Sequence, residues 1–152
     1  MRCRISRSDH DAILAESAAQ PAREVCGLLF GAHDAIVAVR ACANVAEDPA
    51  RRFEIDPAAL FAALRAERAG GPVLVGHYHS HPSGETTPSA TDAAMALPDG
   101  RIWLIAGQGV LTAWRAVRNG AIHGRFVPLA LDISPVATMG ALRQKAHDGV
   151  TS

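Results

Sequence analysis

The chain has 152 residues, 49% of them apolar and 20% charged, which suits one folded domain and excludes disorder as its main state. Fifteen basic residues balance fifteen acidic ones, which excludes nucleic-acid binding through bulk positive charge. No apolar run has the length of a signal-peptide core or a bilayer span, and Cys3, Cys26 and Cys42 form no CxxC pair. The expectation is a cytoplasmic protein with reduced thiols and no nucleic-acid or membrane partner.

Residues 8–20 read as a helix, with Ser8 as N-cap, Ile13, Leu14 and Ser17 on one face, and Pro21 past its end. Residues 25–31 are a short apolar run bounded by glycine, which favours a buried strand. Residues 35–41 form the second arm of a hairpin across His33-Asp34, and 52–55 alternate as a short strand. Asp56-Pro57 opens a second helix that turns Leu60, Phe61 and Leu64 inward and stops at Gly70-Gly71. Residues 73–76 are a strand that runs into a histidine-rich loop, followed by a short helix at about 88–97. Three strands at 101–106, 111–117 and 122–129 complete the domain, with Asn119-Gly120 as a hairpin signal. The expected fold class is α/β, a single-domain sandwich with a mixed sheet flanked by helices. The domain is expected over residues 1–134, and 135–152 as a weakly ordered tail or one short helix.

Chemistry concentrates in Gly76-His77-Tyr78-His79-Ser80-His81-Pro82 and in Ser89-Ala90-Thr91-Asp92. In an extended chain, side chains at i and i+2 share a face, so two alternating imidazoles can meet one metal ion. Asp92, on the following helix, can return as an oxygen ligand, which leaves one tetrahedral position open for water. Taken singly these features are weak: histidine pairs are common on surfaces, and Ser89-x-x-Asp92 is also the pattern of a capping box. His77 adds a third alternating histidine and makes a His77, His79 and His81 set a competitor. Three alternating strand residues span ~13 Å, which suits two ligands better than three.

Together, His79-Ser80-His81-Pro82, six residues, Ser89, two residues and Asp92 resemble the JAMM motif of the MPN-plus (Jab1/Mov34) zinc metallopeptidases. The upstream glutamate of that pattern is matched in Arg23-Glu24-Val25-Cys26-Gly27-Leu28-Leu29-Phe30-Gly31. The resemblance continues through Arg52-Phe53-Glu54-Ile55-Asp56-Pro57 and covers roughly residues 5–130, nearest to the compact bacterial members. It implies an MPN (cytidine-deaminase-like) fold and one catalytic Zn2+ held by His79, His81 and Asp92. It also implies Glu24 as general base and Ser89 as hydroxyl donor to the oxyanion. Ser80 is expected to make a structural hydrogen bond, and Cys26 to be a buried apolar side chain.

The implied function is zinc-dependent hydrolysis of a peptide or isopeptide bond at the C-terminal end of a ubiquitin-like or sulfur-carrier protein. That small protein is the expected partner, and a homodimer is allowed for. Leu97-Pro98-Asp99-Gly100 passes directly into the next strand, without the long insertion that ubiquitin-cleaving relatives use, which argues against true ubiquitin chains. The alternatives are a non-catalytic MPN scaffold, or a metal hydrolase of small amides or cell-wall peptides on the same residues.

Overall fold

The computed structural model describes residues 1–135, among which lie seven strands and three helices. Strand β1 (Arg2–Ser6) leads into α1 (Arg7–Ala19); β2 (Cys26–Ala32) and β3 (Ala35–Cys42) form the early hairpin. After α2 (Pro57–Arg68) come β4 (Leu74–Ser80) and α3 (Ala90–Met95), and then the meander of β5 (Ile102–Gly107), β6 (Val110–Gly120) and β7 (Gly124–Ser134). Residues 136–152, nearly all of the expected tail, lie outside the described part.

The strands run in the order β1-β3-β2-β4-β5-β6-β7. β1 lies parallel to β7 from Arg2↔Ala130 to Ser6↔Ser134, and meets β3 at Arg4↔Ala35. The mixed sheet therefore curls until its two ends touch. β1 has no counterpart in the sequence reading, although its alternation is plain: Cys3 and Ile5 are buried while Arg2 and Arg4 face out. Because the strand extends to residue 6, the cap of α1 moves as well. Ser6 Oγ, not Ser8, accepts the Asp9 N–H at 3.1 Å.

Helices cover both faces of the sheet. α1 lays Ile13 against Ile5, Leu29, Tyr78, Ile102 and Leu104. On the opposite face, Ala93 and Ala96 pack with Cys26, Phe53, Trp103 and Phe126, and α2 sets Ala63, Leu60 and Leu64 on Leu28, Phe30 and Leu74. Asp56 caps α2 with Pro57 in the first turn, as expected. Phe61 departs from the expectation. It is 59% exposed beneath the Arg65 guanidinium, because one helical step beyond Leu60 turns it off the inner face.

Three further boundaries differ. Residues 52–55 are not a strand; only the bridge Asn44↔Ile55 forms there. β4 does not stop at Gly76 but carries His77 and His79 as strand residues, since β2 and β5 supply backbone partners on both sides as far as Ser80. The last hairpin reverses at residues 121–123 rather than at Asn119-Gly120. Asn119 takes its left-handed conformation within an irregularity of β6, and Gly120 pairs with Gly124.

Two close approaches fix the centre of the sheet. Tyr78 lies over Gly27, its cross-strand partner, and its hydroxyl donates to Glu16 Oε1 of α1 at 2.5 Å. Gly76 faces Ile102 of β5, and a Cβ there would collide with the Ile102 carbonyl. Backbone cannot retreat as a flexible side chain can, so Gly76→Ala is expected to cost about 1–3 kcal/mol. A thermal melt should show this as a Tm lower by roughly 3–10 °C; an unchanged Tm would contradict the reading of Gly76.

Candidate metal centre and active-site cleft

His79 is the penultimate residue of β4, and His81 lies just past the strand, where Pro82 turns the chain away. Asp92 sits in the first turn of α3. His79 Nε2 is 3.1 Å from Asp92 Oδ1 and 3.1 Å from His81 Nε2, and His81 Nε2 is 3.0 Å from Asp92 Oδ2. All three residues are buried, and they form a group able to hold a metal ion. Four-coordinate zinc with ligands at ~2.0–2.1 Å requires neighbouring donor atoms about 3.3 Å apart, close to these separations.

The donor chemistry fits a cation too. His81 Nδ1 donates to the Glu85 carbonyl at 2.8 Å, so in the neutral ring Nε2 carries a lone pair. That lone pair points into the same small volume as the Asp92 oxygens. Burial raises the Asp92 carboxyl, but hydrogen bonds with both histidines and with the Ser89 N–H outweigh it and hold the group far below the usual carboxylate range. Burial lowers His79; for His81 the bond to Asp92 overcomes burial and raises it.

His77 is not part of this group. Its ring packs on Trp103 at 4.3 Å and near Phe53 at 5.4 Å, and burial pushes its pKa down to about 3. Phe53 also stacks on His79 at 4.3 Å and sets the plane of that ring. The geometry thus gathers His79, His81 and Asp92 and leaves the three-histidine alternative without support.

Glu24 precedes β2 and is held by its backbone. Its N–H donates to the Pro49 carbonyl at 2.7 Å, and its carbonyl accepts from Asn44 Nδ2 at 2.8 Å. The next residue is clamped to the histidine strand: Val25 N–H donates to Ser80 Oγ at 2.9 Å, and Ser80 N–H to the Val25 carbonyl at 3.0 Å. Ser80 thus makes the structural bond expected of it. Glu24 is 4% exposed, with Oε1 unpartnered. Burial raises its pKa to about 7; His81 opposes the shift and Asp92 adds to it.

Ser89 is the N-cap of α3. Its Oγ accepts the Asp92 N–H at 3.0 Å while its own N–H donates to Asp92 Oδ2 at 2.9 Å, so the capping-box reading is also true. The hydroxyl proton is not used by that cap. Glu24, His81 and Ser89 line one cleft of about 520 Å³, together with Arg51, Glu85 and His123. Cys26 is buried, and burial pushes its thiol up to about 12, which suits an inert packing role.

Sequence reading missed three contributors. Asn44 organises the loop behind Glu24: its Oδ1 accepts from Ala46 N–H and Glu54 N–H, both at 3.0 Å. Trp114, on β6, donates to the Thr86 carbonyl at 3.2 Å and so holds the loop between the metal-facing residues. His123, from the turn before β7, reaches the cleft wall at Pro88. None of them belongs to a local pattern that marks a site.

The family of prokaryotic homologs of the JAB domain matches residues 6–119. A desampylase from Haloferax volcanii is 37% identical over 119 residues, which cover 74% of this chain and 86% of that one. A solution structure of a Desulfitobacterium hafniense protein superposes with a TM-score of 0.74 at 22% identity, covering 89% of this chain and 94% of the other. A JAB1/MPN domain protein from Archaeoglobus fulgidus gives 0.53 at 19% identity, covering 86% and 97%. With a family match across three quarters of its length and the motif residues gathered at one cleft, the chain belongs to the prokaryotic JAB family and is a hydrolase of the JAMM type.

Proposed function

We propose that this protein is a zinc peptidase that cleaves a peptide or isopeptide bond at the C-terminal end of a small ubiquitin-like or sulfur-carrier protein. The observation that carries this reading is the buried group of His79, His81 and Asp92 in ligand geometry, reached through His81 from a cleft that Glu24, with its unpartnered Oε1, and Ser89 also line. The substrate class is supported by the desampylase relative, since desampylation acts on small ubiquitin-like modifiers. The cleft is open to an extended tail and too small for a folded body. No helix among the described residues is long and apolar enough to cross a membrane.

His79, His81 and Asp92 would hold the ion, which when bound supplies Lewis acidity that makes hydroxide available near neutral pH. Glu24 takes the proton of the attacking water on its free Oε1. It returns a proton to the amine nitrogen as the C–N bond breaks. Burial raises the pKa of this carboxyl, which suits a group that must take up a proton and then release it. Ser89 donates its spare hydroxyl proton to the oxygen that gains charge at the scissile carbonyl. Its cap bond to the Asp92 N–H fixes the Oγ position beforehand.

Glu24→Gln keeps the shape of the side chain and removes the base, so turnover should fall by about 10²-fold or more. Zinc binding should persist; full turnover in the zinc-loaded variant would refute the role. The assay is intact mass of a Gly-Gly-terminated ubiquitin-like protein extended by a short peptide, before and after incubation.

Adding zinc to metal-free protein should raise Tm, because the ion binds the folded cluster preferentially; a hundredfold excess over Kd is worth about 2.7 kcal/mol. Asp92→Asn should abolish most of that rise. An unchanged wild-type Tm would favour the non-catalytic scaffold.

In metal-free protein Glu24 also links stability to pH. Its folded pKa, about 7, lies above the ordinary value of 4.5, so the folded state retains the proton between them. Its contribution is complete below 4.5 and is lost as pH rises through 7. Denaturant titrations should therefore show wild type losing stability relative to Glu24→Gln across that window, and a difference independent of pH would contradict the assignment.

A further inference from the structure

We propose that His123 is a positioning residue for Ser89 and Asp92, an inference that rests on the functional reading above. The loop from His81 to Ser89 has no regular secondary structure, and three of its carbonyls are captured by side chains. His81 Nδ1 takes Glu85 O at 2.8 Å, Thr112 Oγ1 and Trp114 Nε1 take Thr86 O at 2.6 and 3.2 Å, and His123 Nε2 takes Pro88 O at 3.1 Å. A carbonyl can only accept, so His123 carries its proton on Nε2 in this contact.

The last of these bonds falls on the peptide unit that matters most. Pro88 C=O and Ser89 N–H belong to one rigid plane. His123 draws its oxygen at 3.1 Å, and Asp92 Oδ2 receives its N–H at 2.9 Å. The two bonds together fix the rotation of the plane, and with it the direction of the Ser89 side chain and one lone pair of Asp92. Asp92 Oδ2 is also the oxygen that faces His81 Nε2 at 3.0 Å. His123 therefore reaches the metal-facing carboxylate through a single peptide plane.

The backbone at His123 supports a selected side chain. Its φ is +53°, in the left-handed region where asparagine, aspartate and histidine are the non-glycine residues found most often. Gly124, with φ +68°, completes the turn. Among these the imidazole alone combines an N–H donor with the reach to Pro88 O.

The test uses His123→Ala, His123→Asn and His123→Gln. Asparagine suits the left-handed backbone but is too short to reach Pro88 O, whereas glutamine offers an N–H donor at longer reach. Zinc affinity, measured by competition with a chromogenic chelator, should fall roughly tenfold in the alanine and asparagine variants and recover largely in the glutamine variant. On the Gly-Gly-peptide fusion of a ubiquitin-like protein, kcat should fall with KM little changed. At saturating zinc, where the route through Asp92 is silent, His123→Ala should cost little further kcat in a Ser89→Ala background, because the Ser89 hydroxyl it positions is already gone. Unchanged zinc affinity in both the alanine and asparagine variants, additive losses of kcat, or a failure of glutamine to recover either would overturn the proposal. If alanine fails to fold, the asparagine and glutamine variants carry the comparison. Wild-type protein that binds no zinc would instead refute the functional reading, and the proposal with it.

Discussion

Two imidazole nitrogens and a carboxylate converge within 3.0–3.1 Å of one another at the end of β4. Atoms of this kind repel unless a proton or a cation lies between them, and burial removes the water that would otherwise screen them. Much of the surrounding structure holds that arrangement. β2 and β5 clamp β4 on both edges, Phe53 stacks on one ring, and Glu85 takes the far nitrogen of the other. The capping box of α3 presents Asp92 from the third side. Each support acts on a side chain or on the peptide unit next to it.

The site contains buried polar atoms without hydrogen-bond partners. Glu24 Oε1 and His79 Nδ1 are buried without a hydrogen-bond partner, each at a cost of about 1–3 kcal/mol. Such groups persist where they serve chemistry, and apolar packing elsewhere offsets them. Here the offset is the core on both faces of the sheet, where Tyr78, Phe126, Leu104 and Ile105 are almost fully buried. The same burial that makes Glu24 costly raises its pKa toward neutrality. Instability and reactivity at that residue thus have a single cause.

The errors in reading elements from the sequence have physical reasons. β1 alternates visibly, but five residues before a helix carry little weight until β7 is there to pair with them. The histidines resembled loop residues because imidazoles are uncommon in a buried strand; two neighbouring strands and the aromatic rings of Phe53 and Trp103 make the strand favourable. Phe61 was placed inward by hydrophobicity alone, although the helix turns Ala63 to the core instead. Asn119-Gly120 carried the right turn chemistry, but the irregularity in β6 shifted the reversal by a few residues.

The spacing of His79, His81, Ser89 and Asp92 was legible because it is local. Alternation in a strand and a three-residue step at a helix start place side chains whatever the rest of the chain does. The cap at Asp56, the hairpin of β2 and β3 and the late meander were legible for the same reason. The tertiary structure decided what depends on distant segments meeting: that Ser80 locks Val25, and so Glu24, against a strand 55 residues away. It also decided that His77 packs with aromatics rather than with the cluster, and that Asn44, Trp114 and His123 hold the loops behind it. Local patterns constrain directions, whereas only the closing of the sheet sets distances between residues far apart in sequence.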